Sequence, residues 1–330
     1  MRKWMLGILA VVALIALAFV VSPWPSVHVI RTIFDKGAAD ASAKLDRHVP
    51  ASVSTMTLRY DPSDKDAVLD IHRPATVDPS APVVVWIHGG GFVSGRRGDV
   101  TNYAKILAGR GFVVVNLDYT IAPEAAYPTP IRQVSKALAY LDKHAVKLGI
   151  NSRRLVLAGD SAGAQIAAQT AAITVDPAYA KRVGVSPGIA AAQLAGTLLH
   201  CGVYDVTRMG GGGGIFGWFV KSTTWAYSGE RDWRTAKGFD TMSVAGNITS
   251  TFPPTFISAG NADPLGPQSV AMADALEAKG VKVDRLFYPK DYKPPLGHEY
   301  QFNLDTAAGK LALDRSTAWL KSLSATKAVP

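Results

Sequence analysis

The chain has 330 residues, a formal net charge of +9 and a single cysteine, Cys201. A composition 48% hydrophobic and 18% charged describes a globular protein with a sizeable core and excludes a disordered one. One cysteine excludes an intrachain disulfide, and the positive charge is not gathered into a Lys/Arg block, so no nucleic-acid partner is expected.

Trp4 to Ser22 is a run of 19 residues without a charge, preceded by Arg2 and Lys3. As a helix it spans about 28 Å, close to the hydrocarbon thickness of a bilayer. The terminal amine, Arg2 and Lys3 favour a cytoplasmic N-terminus, which places everything after Pro23 outside the cytoplasm. The favoured reading is a single-pass anchor in the cell membrane, with the bilayer as a partner. The alternative is a cleaved signal and a secreted protein; Ala16-Leu17-Ala18 has the form of a cleavage tripeptide, although it lies inside the apolar run. Trp24, between two prolines, resembles an interfacial belt residue.

Val27 to Leu45 reads as a helix, and Val53 to Arg59 and Ala67 to Ile71 read as strands. Mainly apolar runs follow at Val83 to Ile87, Phe112 to Leu117, Arg154 to Ala158, Leu194 to Cys201, Thr255 to Ala259 and Val281 to Tyr288. Continuous β-branched runs without alternation mark strands buried on both faces, as in a mostly parallel sheet. Helical segments separate several of them, at Thr101 to Arg110, Pro130 to Leu148, Ala162 to Ala172 and Pro267 to Lys279. The pattern predicts an α/β fold with helices on both faces. Residues 204–250 break the alternation, because five glycines, Gly210 to Gly214, precede an aromatic cluster of Phe216, Trp218, Phe219, Trp225 and Tyr227. Glycine runs are costly to order and aromatics favour burial, which a cap insertion over the sheet's carboxyl edge satisfies. A loop followed by an ordinary core helix is the plainer alternative. The domains read as residues 1–25, anchor or signal; 26–52, a membrane-proximal helical or cap segment; and 53–330, the main domain with its insertion near 204–250.

The stretch L-V-L-A-G-D-S-A-G-A-Q-I-A-A, Leu155 to Ala168, turns from strand to helix at one residue, Ser161. Such a corner is strained, and flanking glycines reduce the clash there. A serine there is also a common N-cap, so a nucleophile is indicated only if partners exist. Of seven histidines, His298 lies in a loop beyond the last apolar run, where a general base can lean over the sheet edge. Asp263 directly follows another buried run and is the acid that would orient His298. Asp160 adjoins Ser161 but points away from it at a sharp turn, and is assigned to holding that turn. Val83 to Ile87 ends in His88-Gly89-Gly90-Gly91-Phe92, whose backbone N–H groups, with that of Ala162, are candidate donors to an oxyanion. Cys201 reads as a packing residue. No cluster has metal-ligand spacing and no strand is followed by a dinucleotide fingerprint, so no metal or cofactor is expected.

With these residues in hand, the chain resembles the α/β-hydrolase superfamily, and within it the hormone-sensitive-lipase-like branch of esterases. The likeness runs from about Val53 to Leu323 and rests on His88-Gly89-Gly90-Gly91, Asp118-Tyr119-Thr120-Ile121-Ala122-Pro123-Glu124, Gly159-Asp160-Ser161-Ala162-Gly163, Asp263-Pro264-Leu265 and His298. The resemblance implies a serine nucleophile at Ser161, an acid at Asp263, a base at His298, and an oxyanion hole from Gly89, Gly90, Gly91 and Ala162. It departs from the family at Thr120, Ile121, Ala164 and Gly266-Pro267-Gln268, positions that bear on substrate rather than on catalysis. The implied activity is hydrolysis of carboxylic esters of short to medium acyl chain, with a small-molecule or lipid-like ester as substrate. Phe92, Trp218, Trp225 and Tyr227 are the candidate substrate-binding aromatics. Amidase, arylformamidase or peptidase activity on the same triad, and a silent membrane-anchored binding protein, are the alternatives.

Overall fold

The structure, a computed structural model, describes residues 2–209 and 212–324. Met1, and Gly210 and Gly211 of the glycine run, lie outside the described residues. The strands are β1 (Ser54–Arg59), β2 (Val68–Arg73), β3 (Val83–Ile87), β4 (Val114–Leu117), β5 (Leu155–Asp160), β6 (Leu194–His200), β7 (Thr255–Ala259) and β8 (Val283–Phe287). The helices are α1 (Arg2–Val21), α2 (Trp24–Leu45), α3 (Arg97–Ala108), α4 (Thr129–Lys143), α5 (Ala145–Leu148), α6 (Ser161–Val175), α7 (Pro177–Val183), α8 (Gly214–Ser228), α9 (Gly266–Ala278) and α10 (Ala307–Ser322).

All eight strands join one sheet in the order β1-β2-β4-β3-β5-β6-β7-β8. β2 is antiparallel to β1 and to β4, and every pair from β4 to β8 is parallel. The parallel strands β3 to β7 are the mainly apolar runs, and successive side chains divide between two layers. The expected strand at Val281 to Tyr288 is not buried on both faces: β8 carries Asp284 and Arg285 and is half-exposed, because it is the edge of the sheet. Val83, Val85 and Ile87 of β3 enter one core with Ile131 of α4, Ile166 of α6 and Met272 of α9. Val84 and Trp86 enter the other with Tyr103 of α3 and Leu313 and Leu320 of α10. Helices therefore cover both faces, and the carboxyl ends of β3, β5, β7 and β8 share one rim.

Two helices depart from their expected bounds. α3 begins at Arg97 rather than Thr101, because the Asp99 carboxylate accepts the Arg96 N–H at 3.1 Å and caps an earlier turn. The expected helix over Pro130 to Leu148 divides at His144, and α5 stops at Gly149, which is left-handed at φ +57°.

At the N-terminus, Lys3–Val21 forms an apolar stretch of 19 residues with mean hydropathy 2.9, none of it buried, long and apolar enough to cross a membrane. Ser22 and Pro23 separate α1 from α2, which opens with prolines that lack an N–H the first turn does not need. Val27 and Ile30 bury one face of α2 in the main core. Arg31 fastens it: Nε donates to Val93 O at 2.6 Å, one terminal nitrogen donates to Ala122 O at 3.0 Å, and both terminal nitrogens pair with Glu124. The Trp218 indole of α8 donates to Ser26 Oγ at 3.2 Å, so α2 and α8 are joined to each other as well.

Candidate active site

The strand–helix corner falls at Ser161, whose φ of +51° is a conformation non-glycine residues rarely hold. Its neighbours explain why the chain tolerates it. A methyl group on Gly163 would lie 2.0 Å from Ile87 O, and one on Gly159 would lie 2.5 Å from Gly163 C. Only glycine at both positions lets α6 start flush against the end of β3. Asp160 faces away from the hydroxyl, accepting from Trp86 Nε1 at 2.8 Å through Oδ1 and from Gly89 N at 2.9 Å through Oδ2. Burial, and then the nearby Glu299 carboxylate, push the Asp160 pKa well up, against the pull of the Trp86 and Gly89 donors.

Ser161 Oγ lies 2.9 Å from His298 Nε2, and His298 Nδ1 lies 3.0 Å from Asp263 Oδ1. His298 follows β8 and Asp263 follows β7, so three strand ends bring one residue each to the same rim. Asn261, which drew no notice in the sequence, ties the two loops together. Its Nδ2 donates to Tyr292 O at 3.0 Å and Lys290 O at 3.2 Å, and its Oδ1 accepts from Leu296 N at 2.9 Å. Ala262 N adds a bond to Leu296 O at 2.9 Å. Acid and base are thus spaced by a laced pair of loops.

Burial opposes a charged His298 imidazole. The Cys201 sulfur, the Asp263 carboxylate and Glu299 act the other way, and together they lift its pKa well above the ordinary histidine value. Glu299 is left-handed at φ +59°, with Oε1 3.7 Å from His298 Nε2. Cys201 Sγ, an Asp263 carboxylate oxygen and a His298 ring nitrogen all lie within 4.8 Å of one another, a grouping that linear spacing did not reveal. Burial pushes the Cys201 thiol pKa up.

The other histidines go elsewhere. His200 is buried against Ser258 Oγ with its pKa lowered by burial to about 3, and His72 bridges Thr55 and Asn116. His88 stacks on Tyr119 at 4.3 Å, and its Nδ1–H donates to Gly89 O. Among the described residues, only His298 reaches Ser161.

Gly89, expected among the oxyanion donors, is corrected here: its N–H is committed to the Asp160 carboxyl. Gly90 and Gly91 are left-handed, at φ +112° and +61°, and neither N–H has a partner among the described residues. With Ala162, they are the members of the expected donor set whose N–H groups are not committed elsewhere among the described residues, and Gly90 lines the cavity over the hydroxyl.

A cavity of about 700 Å³ opens over Ser161 and His298. Its polar floor is His88, Gly89, Gly90, Asp160 and Glu299; its walls are apolar side chains of α2 and α8. Of the four aromatics expected to bind substrate, Trp218 lines this cavity. Phe92 and Tyr227 do not; they stack at 4.3 Å inside the core, because a φ of +67° turns Phe92 away from the opening. Trp225 also lies outside the lining, with Arg231 over its ring. The walls are built instead by Ile30, Ile33 and Phe34 of α2, Phe216 and Phe219 of α8, and Phe302. Phe216 and Phe219 belong to the aromatic cluster seen in the sequence. Ile30, Ile33 and Phe34 lie in the membrane-proximal segment expected to contribute to a cap, although the sequence did not single them out, since a helix face shows its partner only once the fold is closed.

Comparison with known proteins agrees with this geometry. The family model described as the α/β-hydrolase fold matches residues 84–292. The carboxylesterase NlhH of Mycobacterium tuberculosis is 29% identical over 283 residues, covering 82% of this chain and 82% of that protein. An acetyl esterase of Salmonella schwarzengrund is 26% identical over 246 residues, 72% of each chain. Among solved structures, an inhibited esterase B from Lactobacillus rhamnosis superposes with a TM-score of 0.77 at 23% identity, covering 90% of this chain and 96% of that one. Fold and rim together define a hydrolase of the α/β class. The chain belongs to the α/β-hydrolase superfamily, in its hormone-sensitive-lipase-like branch.

Proposed function

We propose that the chain is a serine carboxylesterase that works through an acyl-enzyme. Ser161 Oγ attacks the ester carbonyl while His298 Nε2 takes its proton. Asp263 accepts from Nδ1, fixing the tautomer and stabilising the imidazolium. The N–H groups of Gly90, Gly91 and Ala162 receive the oxyanion. His298 then gives its proton to the departing alcohol, and water activated by the same nitrogen hydrolyses the acyl-enzyme to the acid. The carrying observation is the continuous Ser161–His298–Asp263 hydrogen-bond chain, at 2.9 and 3.0 Å, on the rim of the sheet. The apolar walls over Ser161 favour short to medium acyl chains, and the likeness to named esterases supports the reaction class.

We further read α1 as a membrane anchor that holds the domain outside the cytoplasm, with release after signal cleavage as the alternative. Its length and hydropathy support this, as do Arg2 and Lys3 ahead of it.

The test is turnover of p-nitrophenyl esters of graded chain length beside matched amides, with fluorophosphonate labelling of membrane and soluble fractions. Ester cleavage, labelling abolished by Ser161→Ala, and a kcat loss of at least about 10³-fold in that variant are expected. A folded protein inert to every ester and to the probe overturns the esterase reading.

A further inference from the structure

The apolar side chains left exposed on the folded body are not scattered. Among the described residues outside α1, ten large apolar side chains are exposed, and five of them, Trp24, Val29, Ile33, Ile215 and Phe216, lie on α2 or the start of α8. Ile33, Ile215 and Phe216 rim the cavity, and Ile215 is 84% exposed. Pro25, Val29 and Ile33 recur every four residues and share one face, so apolar side chains run from the first turn of α2 to the mouth of the cavity. Trp24 lies on the other flank of the helix, under the Arg31 guanidinium. Exposed apolar side chains gathered at a cavity mouth mark an interaction surface.

The partner is set by what this face joins. No residue of Lys3–Val21 is buried, so α1 is suited to lipid, and only Ser22 and Pro23 separate it from α2. α2 cannot swing freely, because Arg31 and Ser26 fasten it to the body. With α1 in a bilayer, the start of α2 stays at the lipid surface, and the fastened body brings the mouth toward it.

We propose that the mouth between α2 and α8 rests on the bilayer surface and that the site takes lipid esters directly from the membrane. The acyl chain passes along Ile33 and Phe216 to Ser161 without crossing water. This rests on the esterase and anchor readings above, and narrows the substrate class to esters whose acyl chain is already lodged in lipid.

The full chain is reconstituted in phosphatidylcholine nanodiscs, with and without brominated acyl chains, carrying a bimane label on one introduced cysteine. Val29→Cys and Ile215→Cys report the mouth, and Leu14→Cys reports α1. Val146→Cys reports the opposite rim, since α5 precedes the amino end of β5 and Val146 is 98% exposed. Native Cys201 is buried and stays unlabelled. Bromolipid should quench labels at 14, 29 and 215 and leave 146 bright. Quenching at 14 with 29 and 215 as bright as 146 overturns the docked mouth and leaves the anchor standing. No quenching at 14 overturns the anchor, and the docked mouth with it.

A kinetic arm compares p-nitrophenyl decanoate lodged in the discs with p-nitrophenyl acetate in water. Val29→Asp, outside the cavity lining, should lower decanoate turnover about tenfold and leave acetate turnover within about twofold. Equal effects on both esters, or no effect on decanoate, overturn delivery from lipid. A folded wild-type chain inert to both esters and to the fluorophosphonate probe sinks the esterase reading instead, and the quenching result still decides where the mouth lies.

Discussion

Replacing Gly163 with alanine tests the packing that makes the corner possible. The added methyl group would sit 2.0 Å from Ile87 O and 2.5 Å from His88 O, both backbone atoms at the end of β3. Ordinary contact begins near 3.4 Å, so α6 and β3 must part by about 1.4 Å at the closer atom. Overpacking of this kind costs about 1–3 kcal/mol of stability. The larger effect falls on rate, because α6 carries Ser161 and Ala162 while β3 leads into Gly90 and Gly91. A misplacement of about 1 Å costs on the order of 10² in rate, so kcat/KM for p-nitrophenyl acetate should fall about 10²-fold, mostly in kcat. Steady-state kinetics and thermal melting on the same preparation separate the two effects. Gly246→Ala, where no atom lies within 4 Å, is the control and should behave as wild type. If Gly163→Ala keeps both wild-type Tm and wild-type kcat/KM, the close approach of α6 to β3 does not govern the corner and the reasoning fails.

The reaction needs neutral His298, whose pKa lies above the ordinary histidine value, so kcat/KM should climb with pH along a limb placed above about 6.5. Asp263→Asn, which removes the negative charge facing Nδ1 and offers an amide N–H that selects the wrong tautomer, should move that limb to lower pH and cut kcat by about 10⁴; an unmoved limb would mean another group sets it. Asn261→Ala removes three hydrogen bonds between the loops bearing acid and base, and should cost about 1–3 kcal/mol in urea unfolding with a greater fall in kcat than in 1/KM. A change confined to KM would place Asn261 at the substrate instead. Cys201 is buried, so a disulfide reagent should find no reactive thiol in the native protein and one equivalent after denaturation. A fast native equivalent would show that the space beside the base is open to solvent.

The sheet was legible because its central strands are mainly apolar, and β3, β5, β6 and β7 fall where those runs do. The convergence of Ser161, Asp263 and His298 was also legible, since each follows its own strand, the first two buried and the third the half-exposed edge strand β8, and so shares a rim. Hydrogen-bond direction was not. Gly89, Gly90 and Gly91 are identical as letters, and only the folded Asp160 carboxyl distinguishes the first of them. Side-chain direction was lost in the same way. The aromatic stretch at α8 is apolar on more than one face, so the sequence does not tell Phe219, over the cavity, from Tyr227, sealed in the core. Cys201 and Asn261 act through neighbours about 60 to 100 residues away or across a loop, where no period carries information.

Because the pocket walls begin at Ile30, every residue that shapes the cavity lies beyond Ala18, as do Ser26 and Arg31 that secure α2. A peptidase cutting after Ala16-Leu17-Ala18 would leave the catalytic apparatus whole. Tethered and diffusible pools of the enzyme would then share identical chemistry and part company only in the company they keep, one among lipids and the other among solutes.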